Sequence, residues 1–294
     1  MSKKNRSGQA LERQDASLAE KLMDQAIELS IEEDLGPYSD RHKDVTTEAT
    51  VSPGCIARAR VELRQKAIIA GMPVFEKVMK HFDRELSIKR LYQEGEYIEG
   101  VPTDIITIEG NAAAILTSER LALNLMQRIS AVATLTYEFS KRAKPIEILH
   151  TRKTTPCLRA FERYAVLQGG GALHRSGLYD RILIKENHIV MAGSIKAAIA
   201  RSKERFPEIE IEIEARTMTE VKEAAGQKVD IILLDNMSSE MVKEAVRLIA
   251  GRARIEVSGG ITLDCLDSYL IEGVDFISIG ALTHSAKSID MSLI

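Results

Sequence analysis

VDIILLDNMSSEMVKEAVRLIAGRARIEVSGG, residues 229–260, contains two short and mostly apolar runs separated by a helical segment. Ile231–Asp235 lacks the alternation of polar and apolar residues typical of a half-exposed strand, which favours a strand buried on both faces, and Ile255–Ser258 is a second short run with strand character. Ser239–Ile249 between them has the apolar spacing of an amphipathic helix. This stretch therefore predicts a strand–helix–strand unit of a parallel sheet.

The same alternation of short strands and helices is predicted from residue 146 to residue 280. The predicted strands are Ile146–His150, Ile182–Lys185, Ile209–Glu214, Ile231–Asp235, Ile255–Ser258 and Phe276–Gly280. The predicted helices are Ile195–Arg205, Thr219–Ala225, Ser239–Ile249 and Leu263–Glu272. Repeated units of this length and number predict a parallel sheet that curls into a barrel.

The chain before residue 146 lacks this alternation. We predict an amphipathic helix over 18–29, with Leu18, Leu22, Ala26 and Leu29 on one stripe, and a polar loop over 33–47. Further predicted elements are strands at Ala57–Leu63, Ala67–Ala70, Ile105–Glu109 and Ala112–Leu116, a helix at Pro73–His81, and a helix from Thr117 to Val132 with a polar stripe of Arg120, Asn124 and Gln127. The chain is thus predicted to be an α/β protein with domains 1–128 and 129–294, the first starting with a disordered polar tail over about 1–15.

Composition narrows the classes of protein. The chain has 294 residues, 45% of them hydrophobic, and a formal net charge of −3, which gives no general attraction to nucleic acid or membranes. Three separated cysteines, Cys55, Cys157 and Cys265, indicate neither a disulfide framework nor a thiolate zinc site. The start lacks the apolar stretch of a signal peptide, and no run is long enough to span a bilayer. We therefore expect a cytoplasmic protein without nucleic-acid or membrane partners.

Basic side chains collect near the ends of the predicted barrel strands, where parallel barrels hold their active sites. The set is Arg152, Lys153, His174, Arg175 and Lys185. Unpaired like charges repel, so such a set indicates an anionic ligand with carboxylates or phosphates. The alternative is that each cation pairs with a nearby acid such as Glu162 or Asp180.

Acids and glycines occupy further strand ends. Isoleucine and glutamate alternate over 208–214, and Glu214 matches Asp235 at the end of the next strand, so the two carboxylates are candidates for a Mg²⁺ site. A half-exposed strand would instead explain Glu208 and Glu210. Small residues at Ser258–Gly260 and Gly280–Ala281 follow the last two strands, the usual place of a phosphate site in these barrels, although Ser-Gly-Gly is also common in plain turns.

Thr151-Arg-Lys-Thr-Thr-Pro156 followed by Leu158-Arg159 resembles the quinolinate phosphoribosyltransferase family, also called nicotinate-nucleotide pyrophosphorylase (carboxylating). The similarity continues through most of the chain, at Asp44–Thr47, Glu119–Asn124, Gly169–Gly171 with His174-Arg175, Leu183–His188, Glu212–Glu214, Leu234–Asn236, Glu256–Ile261 and Ile277–Thr283. The resemblance implies an N-terminal open-faced α/β sandwich domain followed by an incomplete TIM-like α/β barrel. It also implies a homodimer, or a larger homo-oligomer, in which Arg120 reaches the neighbouring subunit's site.

The implied enzyme is a decarboxylating phosphoribosyltransferase of NAD biosynthesis. It converts quinolinate and phosphoribosyl pyrophosphate to nicotinate mononucleotide, pyrophosphate and CO₂, with Mg²⁺ as cofactor. The implied substrate-binding residues are Arg120, Thr151, Arg152, Lys153, His174, Arg175 and Lys185. The implied catalytic residues are Lys153, Lys185, Glu214 and Asp235; Glu214 and Asp235 face the metal directly or through water, and Ser258, Gly259, Gly260, Gly280 and Ala281 hold the 5′-phosphate.

This sequence departs from the family pattern at a few positions. His150, Cys157 and Leu173 stand where the family usually has Asp, Gly and Asn, and the segment 38–43 is longer than usual. His150 either changes substrate preference or lies outside the pocket. Two alternatives follow: a phosphoribosyltransferase of the same fold that acts on another aromatic acid, and a phosphosugar-binding regulator. The retained acids Glu214 and Asp235 argue against the regulator, because a binding protein needs no carboxylates facing a metal.

Overall fold

The structure is a computed structural model that describes residues 3–36 and 44–294, with the backbone alone for residues 3–15. The helices are α1 (Lys3–Leu35), α2 (Val45–Thr50), α3 (Met72–Phe82), α4 (Ala112–Ala143), α5 (Arg159–Gln168), α6 (Glu186–Ala192), α7 (Ile195–Arg205), α8 (Met218–Ala225), α9 (Ser239–Ile249) and α10 (Ala281–His284), with a 3₁₀ turn at Leu266–Tyr269. The strands are β1 (Ile56–Leu63), β2 (Ala67–Ile69), β3 (Ser87–Arg90), β4 (Glu96–Ile98), β5 (Thr103–Asn111), β6 (Glu147–Leu149), β7 (Ile182–Ile184), β8 (Ile211–Ala215), β9 (Ile231–Asp235), β10 (Arg254–Ser258), β11 (Phe276–Ser278) and β12 (Met291–Leu293).

The chain forms two compact units that interleave along the sequence. The first unit contains residues 1–137, 154–169 and 285–294, and the second contains residues 138–153 and 170–284. The predicted boundary between residues 128 and 129 falls inside α4. A prediction that reads the sequence from start to end gives one domain boundary. The chain, however, passes between the two units more than once.

The first unit is built around an antiparallel sheet in the order β12–β1–β5–β3, with β2 and β4 as a separate pair. The long β1–β5 ladder runs from Ile56 opposite Asn111 to Leu63 opposite Thr103. Helix α3 places Phe75, Val78 and Met79 at helical spacing, and all three are fully buried. Burial of one such side chain stabilises the unit by about 1.5–3 kcal/mol.

The second unit is a six-stranded parallel sheet in the order β6–β11–β10–β9–β8–β7. Strands β7 to β10 are neighbours in both sequence and space, and helices join them, as expected for repeated strand–helix units. The sheet ends at β6 and β7, so the barrel is incomplete. All six predicted barrel strands are confirmed, and their carboxyl ends lie at one edge of the sheet.

Several predicted elements differ from the structure. The predicted helix Leu263–Glu272 is only a 3₁₀ turn at Leu266–Tyr269, and helices α5 and α6 were not predicted. The predicted strand Ala112–Leu116 is wrong because α4 already begins at Ala112. Here the Asn111 side chain accepts a hydrogen bond from the Ala114 backbone N–H at 3.2 Å, so Asn111 provides the cap, six residues before the predicted start at Thr117.

The predicted helix 18–29 is part of the longer α1, which begins at Lys3 within the segment predicted as a polar tail. Strong helix formers at residues 10–13 (Ala, Leu, Glu, Arg) account for this continuation. Ile27 and Ile31 are buried, whereas the predicted stripe residues Leu18, Leu22 and Leu29 are exposed. The loop prediction over 33–47 was too long, and its part at 37–43 lies outside the described residues. Within the described parts of the chain, the helices are too short or too polar to cross a membrane.

Candidate active site

The carboxyl ends of the parallel strands surround a cavity of about 300 Å³ in the second unit. Its lining residues are Thr151, Arg152, Lys153, His174, Arg175, Leu183, Lys185, Glu214, Leu233, Asp235, Glu256, Ser258 and Ser278. Every predicted basic residue of the barrel and both predicted metal-facing acids are therefore brought to one place. Because the strands run in parallel, segments far apart in sequence supply these side chains.

Some predicted site residues do not line this cavity. They are Arg120, Gly259, Gly260, Gly280 and Ala281. Arg120 lies on α4 in the first unit, where its side chain is 68% exposed and its recorded ion pair is a 3.6 Å contact with the neighbouring Glu119. Its predicted role across a subunit interface therefore stays a prediction.

Arg152 and Arg175 are close enough to repel each other. Burial lowers the pKa of Arg175, and the positive charge of Arg152 lowers it further. The acids named in the alternative prediction are engaged elsewhere: Glu162 accepts hydrogen bonds from Arg128 and Thr155, and Asp180 accepts them from the backbone N–H groups of Ser176 and Gly177. Two arginines without a shared carboxylate are an arrangement that a bound anion would stabilise.

His174 rests on two buried glutamates that the sequence analysis did not assign. Its Nε2 lies 3.2 Å from Glu212 and 3.5 Å from Glu256, and both carboxylates are fully buried. Arg181 also pairs with Glu212, at 3.3 Å. The missed signal was the alternation itself, since Glu212 and Glu214 are two residues apart on one strand and must face the same side of the sheet.

Protonation of His174 follows from opposing effects. Burial alone lowers its pKa, but the hydrogen bonds and charges of Glu212 and Glu256 outweigh burial and raise the pKa to about 9. The Arg175 backbone N–H donates to Nδ1 at 2.7 Å and so opposes a second ring proton. Because two N–H groups cannot face each other at 2.7 Å, the imidazolium that the two buried carboxylates favour at neutral pH requires this backbone contact to lengthen.

These three groups have the residue types of a metal site, because one ligand atom from each of His174, Glu212 and Glu256 lies within 4.8 Å of the others. The imidazolium and Arg181 already balance the two negative charges. We therefore interpret the cluster as an ion-pair network in the wall of the cavity, which His174 and Glu256 both line.

Glu214 and Asp235, the two predicted metal-facing acids, both contact one arginine. Arg216 lies 2.9 Å from Glu214 and 3.4 Å from Asp235, and it also pairs with Glu186. Lys185 lies 3.2 Å from Glu214, while the amide of Asn236 donates to Asp235 at 2.9 Å. The carboxylates of Glu214 and Asp235 thus converge on a single cationic group. Arg216 was not predicted as a site residue.

The turns after β9 and β10 approach each other closely at Gly259. This glycine has a φ of +105°, and a Cβ there would lie 2.3 Å from Oδ1 of Asn236. After β11, a Cβ on Gly280 would lie 3.0 Å from Cδ of Lys153 and 3.2 Å from Nε2 of His284. The sequence analysis missed His284, which is four residues after Gly280 on α10 and brings a further imidazole to this end of the sheet.

Two of the departures from the family pattern, His150 and Cys157, have local explanations. His150 is buried, does not line the cavity, and its Nδ1 lies 2.9 Å from the Thr151 carbonyl oxygen, so the alternative that places it outside the pocket is the one observed. Cys157 has a φ of +64°, a left-handed conformation that explains why glycine is usual there. Nothing in the structure explains Leu173.

Comparison with known proteins agrees with this geometry. Residues 44–130 match the family model for the N-terminal domain of quinolinate phosphoribosyl transferase, and residues 132–294 match the model for its C-terminal domain. The chain is 39% identical to the chloroplastic nicotinate-nucleotide pyrophosphorylase [carboxylating] of Arabidopsis thaliana over 91% of this chain and 81% of that protein. It is 38% identical to a probable enzyme of the same name from Methanocaldococcus jannaschii, over 92% of this chain and 98% of that one.

A solved structure shows the same similarity in three dimensions. NadC from Streptococcus pyogenes superposes with a TM-score of 0.86 at 36% identity, covering 92% of this chain and 95% of that chain. Both family models, the relatives and the arrangement of the cavity agree with one another. The chain belongs to the quinolinate phosphoribosyltransferase family.

Proposed function

We propose that the cavity joins quinolinate to phosphoribosyl pyrophosphate and releases nicotinate mononucleotide, pyrophosphate and CO₂, a reaction of NAD biosynthesis. The observation that carries the proposal is the convergence of Arg152, Arg175, His174 and Lys185 on one cavity with Glu214 and Asp235. A small dianion suits the basic residues, and a metal-bound sugar diphosphate suits the acidic residues.

The basic side would hold the pyridine dicarboxylate. Arginine binds both oxygens of a carboxylate through its planar fork, and in the described part of the chain neither Arg152 nor Arg175 forms an ion pair with a carboxylate, although the charges of Glu212 and Asp180 act on Arg175. Thr151 supports the turn, because its hydroxyl accepts a hydrogen bond from the Lys153 backbone N–H at 3.1 Å. We assign Lys153 to the junction of the two substrates, since its side chain passes close to Gly280.

Glu214 and Asp235 fit a Mg²⁺ ion, because their carboxylates already converge on one cation, the guanidinium of Arg216. They would hold the ion directly or through water. When bound, Mg²⁺ neutralises the charge that develops on departing pyrophosphate. The 5′-phosphate would lie against Ser258, Gly259, Gly260, Gly280 and Ala281, where small residues let backbone N–H groups approach phosphate oxygens.

The chemistry follows from these placements. The pyridine nitrogen attacks the anomeric carbon as pyrophosphate leaves, and the positive charge that grows on the sugar is stabilised by a facing carboxylate, Glu214 or Asp235. The pyridinium then accepts the electron pair left when the adjacent carboxylate departs as CO₂, and a proton takes its place on the ring. Holding both substrates in line contributes several kcal/mol, given effective molarities worth roughly 7–11 kcal/mol. Lys153 and Lys185 would contact the negatively charged groups whose charge changes during the reaction, which are the leaving pyrophosphate and the carboxylate that departs as CO₂.

We also propose that the enzyme is a homodimer, or a larger homo-oligomer, in which Arg120 completes the partner's cavity. Two separate features support assembly: the exposed Arg120 in the first unit, and the edge strand β7 of the second unit, near which Leu178 and Tyr179 are exposed. The cytoplasm remains the expected location, which fractionation of cells would test.

The test is a turnover assay with purified protein, Mg²⁺, phosphoribosyl pyrophosphate and either quinolinate or nicotinate. We expect nicotinate mononucleotide and CO₂ from quinolinate, and loss of about 10³-fold or more in kcat/KM in Arg152→Ala and Lys185→Ala, because charged contacts to a reacting dianion are lost. Both variants should keep their circular dichroism spectrum and melting temperature.

Lys222→Ala, which removes an exposed lysine from α8, is the matched control and should turn over normally. Turnover only with another aromatic acid would support the related transferase. Binding of phosphoribosyl pyrophosphate without turnover of either acid would support a regulator. A near-normal rate in Arg152→Ala or Lys185→Ala would remove that residue from the proposed site.

A further inference from the structure

We propose that Arg216 is a mobile counter-cation that competes with the metal for Glu214 and Asp235 and transfers to the diphosphate of the sugar substrate when the metal binds. The proposal rests on the proposed function, because it concerns the same Glu214 and Asp235. It assigns Arg216 two roles: it competes with the divalent cation in the free enzyme, and it binds substrate in the complex.

The first support is the position of the guanidinium. It contacts three carboxylates that follow three neighbouring strands: Glu186 after β7, Glu214 in β8 and Asp235 in β9. Lys185 contacts Glu214 alone within this group. Among the described residues, Arg216 is therefore the cation recorded between the two proposed metal ligands. It contacts both carboxylates that would hold a divalent ion, so it would compete with that ion.

The second support is that the backbone of Arg216 is held while its side chain is half exposed. The Arg216 N–H donates to Glu220 at 2.7 Å, and Glu220 also accepts from the backbone N–H of Thr217, in the capping box that starts α8. The Arg216 side chain is 48% exposed, whereas that of Glu214 is 5% exposed. The buried Glu214 carboxylate thus stays in place, whereas the half-exposed side chain of Arg216 has room to move while its backbone is held.

The third support is chemical. Two cations cannot share the same pair of carboxylates without repulsion, so arrival of a metal weakens the ion pairs of Arg216 with Glu214 and Asp235. The metal brings a diphosphate, and the guanidinium fork matches phosphate oxygens better than most side chains do. An arginine displaced by the metal therefore finds a new anionic partner within reach of its own side chain.

The experiment is a titration of the protein with Mn²⁺ alone, followed by electron paramagnetic resonance of the free ion, for the wild type, Arg216→Gln and Arg216→Lys. We expect Arg216→Gln to bind Mn²⁺ roughly three- to tenfold more tightly than the wild type, because half-exposed ion pairs that compete with the metal are gone. Lysine has no planar fork to bridge both acids, so Arg216→Lys should lie between the two. Arg247→Gln, an exposed arginine of α9, is the control and should match the wild type.

A second measurement tests the transfer. In the presence of saturating Mg²⁺, Arg216→Gln should show a KM for phosphoribosyl pyrophosphate raised roughly three- to tenfold, with a smaller change in the KM for quinolinate. If the wild type forms product but Arg216→Gln binds Mn²⁺ no more tightly, or if neither protein binds Mn²⁺ alone, the counter-cation role is wrong and the proposed function stands. Absence of product in the wild type under all conditions would instead remove the proposed function.

Discussion

At the scale of single residues, the cavity is organised by basic and acidic side chains that meet at the strand ends and by an ion-pair network in its wall. His174 connects these parts, because its ring lines the cavity together with Glu256 and is held by Glu212 and Glu256. Replacing one partner in such a network leaves another buried charge uncompensated, which is costly. The network therefore fixes both the orientation and the charge of the ring.

This charge gives the protein a predictable pH dependence. The pKa of His174 in the folded protein is about 9, above its ordinary value, so its contribution to stability is fully present below about pH 6.5 and is lost as the pH rises through 9. We expect His174→Gln to be less stable than the wild type by about 2 kcal/mol at pH 6.5, and this difference to shrink towards pH 10.

Melting temperatures measured from pH 6 to pH 10 for both proteins provide the test. His81→Gln, which changes an exposed histidine of α3, is the control and should follow the wild type throughout. A constant difference between wild type and His174→Gln across this range would show that the ring is neutral in the folded protein.

Residue types at strand ends predicted which groups meet, but not the whole network. Arg152, Arg175 and Lys185 were found because a barrel brings its strand ends together. Glu212 and Glu256 were missed because they lie inside predicted strands and not at strand ends, and Arg216 because it lies beyond Glu214, which was predicted to be the last residue of its strand. Only side-chain geometry shows which carboxylate each cation contacts.

At the scale of elements, the turn after β10 shows how close packing restricts sequence. Gly259 combines a positive φ with a site where any Cβ would collide with Asn236. Gly260 and Gly251 also have positive φ values, of +63° and +71°, but have open space around them. Comparing substitutions at these three positions therefore distinguishes the cost of backbone strain from the cost of steric overlap.

We expect Gly259→Ala to lose about 2–4 kcal/mol of the free energy of unfolding, against about 1 kcal/mol for Gly251→Ala, because the first adds a collision to the backbone strain. Urea unfolding followed by circular dichroism measures both. Gly259→Ala and Gly260→Ala should also bind phosphoribosyl pyrophosphate more weakly, whereas Gly251→Ala should not. Equal stability of Gly259→Ala and Gly251→Ala would contradict the close approach.

Elements with a regular sequence pattern were predicted more accurately than elements without one. The barrel strands were predicted nearly to the residue because their apolar runs are short and repeated. The start of α4 was not, since Ala112–Leu116 is apolar without a clear period, and the cap at Asn111 belongs to the preceding strand β5. Strand β12 was missed because three residues carry too little pattern, and its pairing with β1 depends on a partner more than 200 residues away.

At the scale of the whole molecule, the proposed dimer predicts complementation between two inactive variants. If Arg120 acts in the partner's cavity, a mixed dimer of Arg120→Ala and Lys185→Ala has one doubly altered site and one intact site. Equal amounts of the two, unfolded together and refolded, should therefore regain roughly a quarter of wild-type activity after random pairing.

Each variant refolded alone is the control and should stay inactive, and sedimentation should confirm that both form the same assembly as the wild type. If the mixture is no more active than its components, Arg120 does not act across an interface. Full activity of Arg120→Ala alone would exclude it from the site.

The pairing of β12 with β1 also determines which strand edge the chain exposes while it is being synthesised. Strand β1 emerges early, at residues 56–63, but its edge partner at residues 291–293 is translated only after the entire parallel sheet. Until then the nascent chain exposes an unpaired β1 edge, a surface on which strands of other molecules can add. Expression yield should therefore suffer most from premature termination shortly before residue 291, where everything except that last protecting strand has been made.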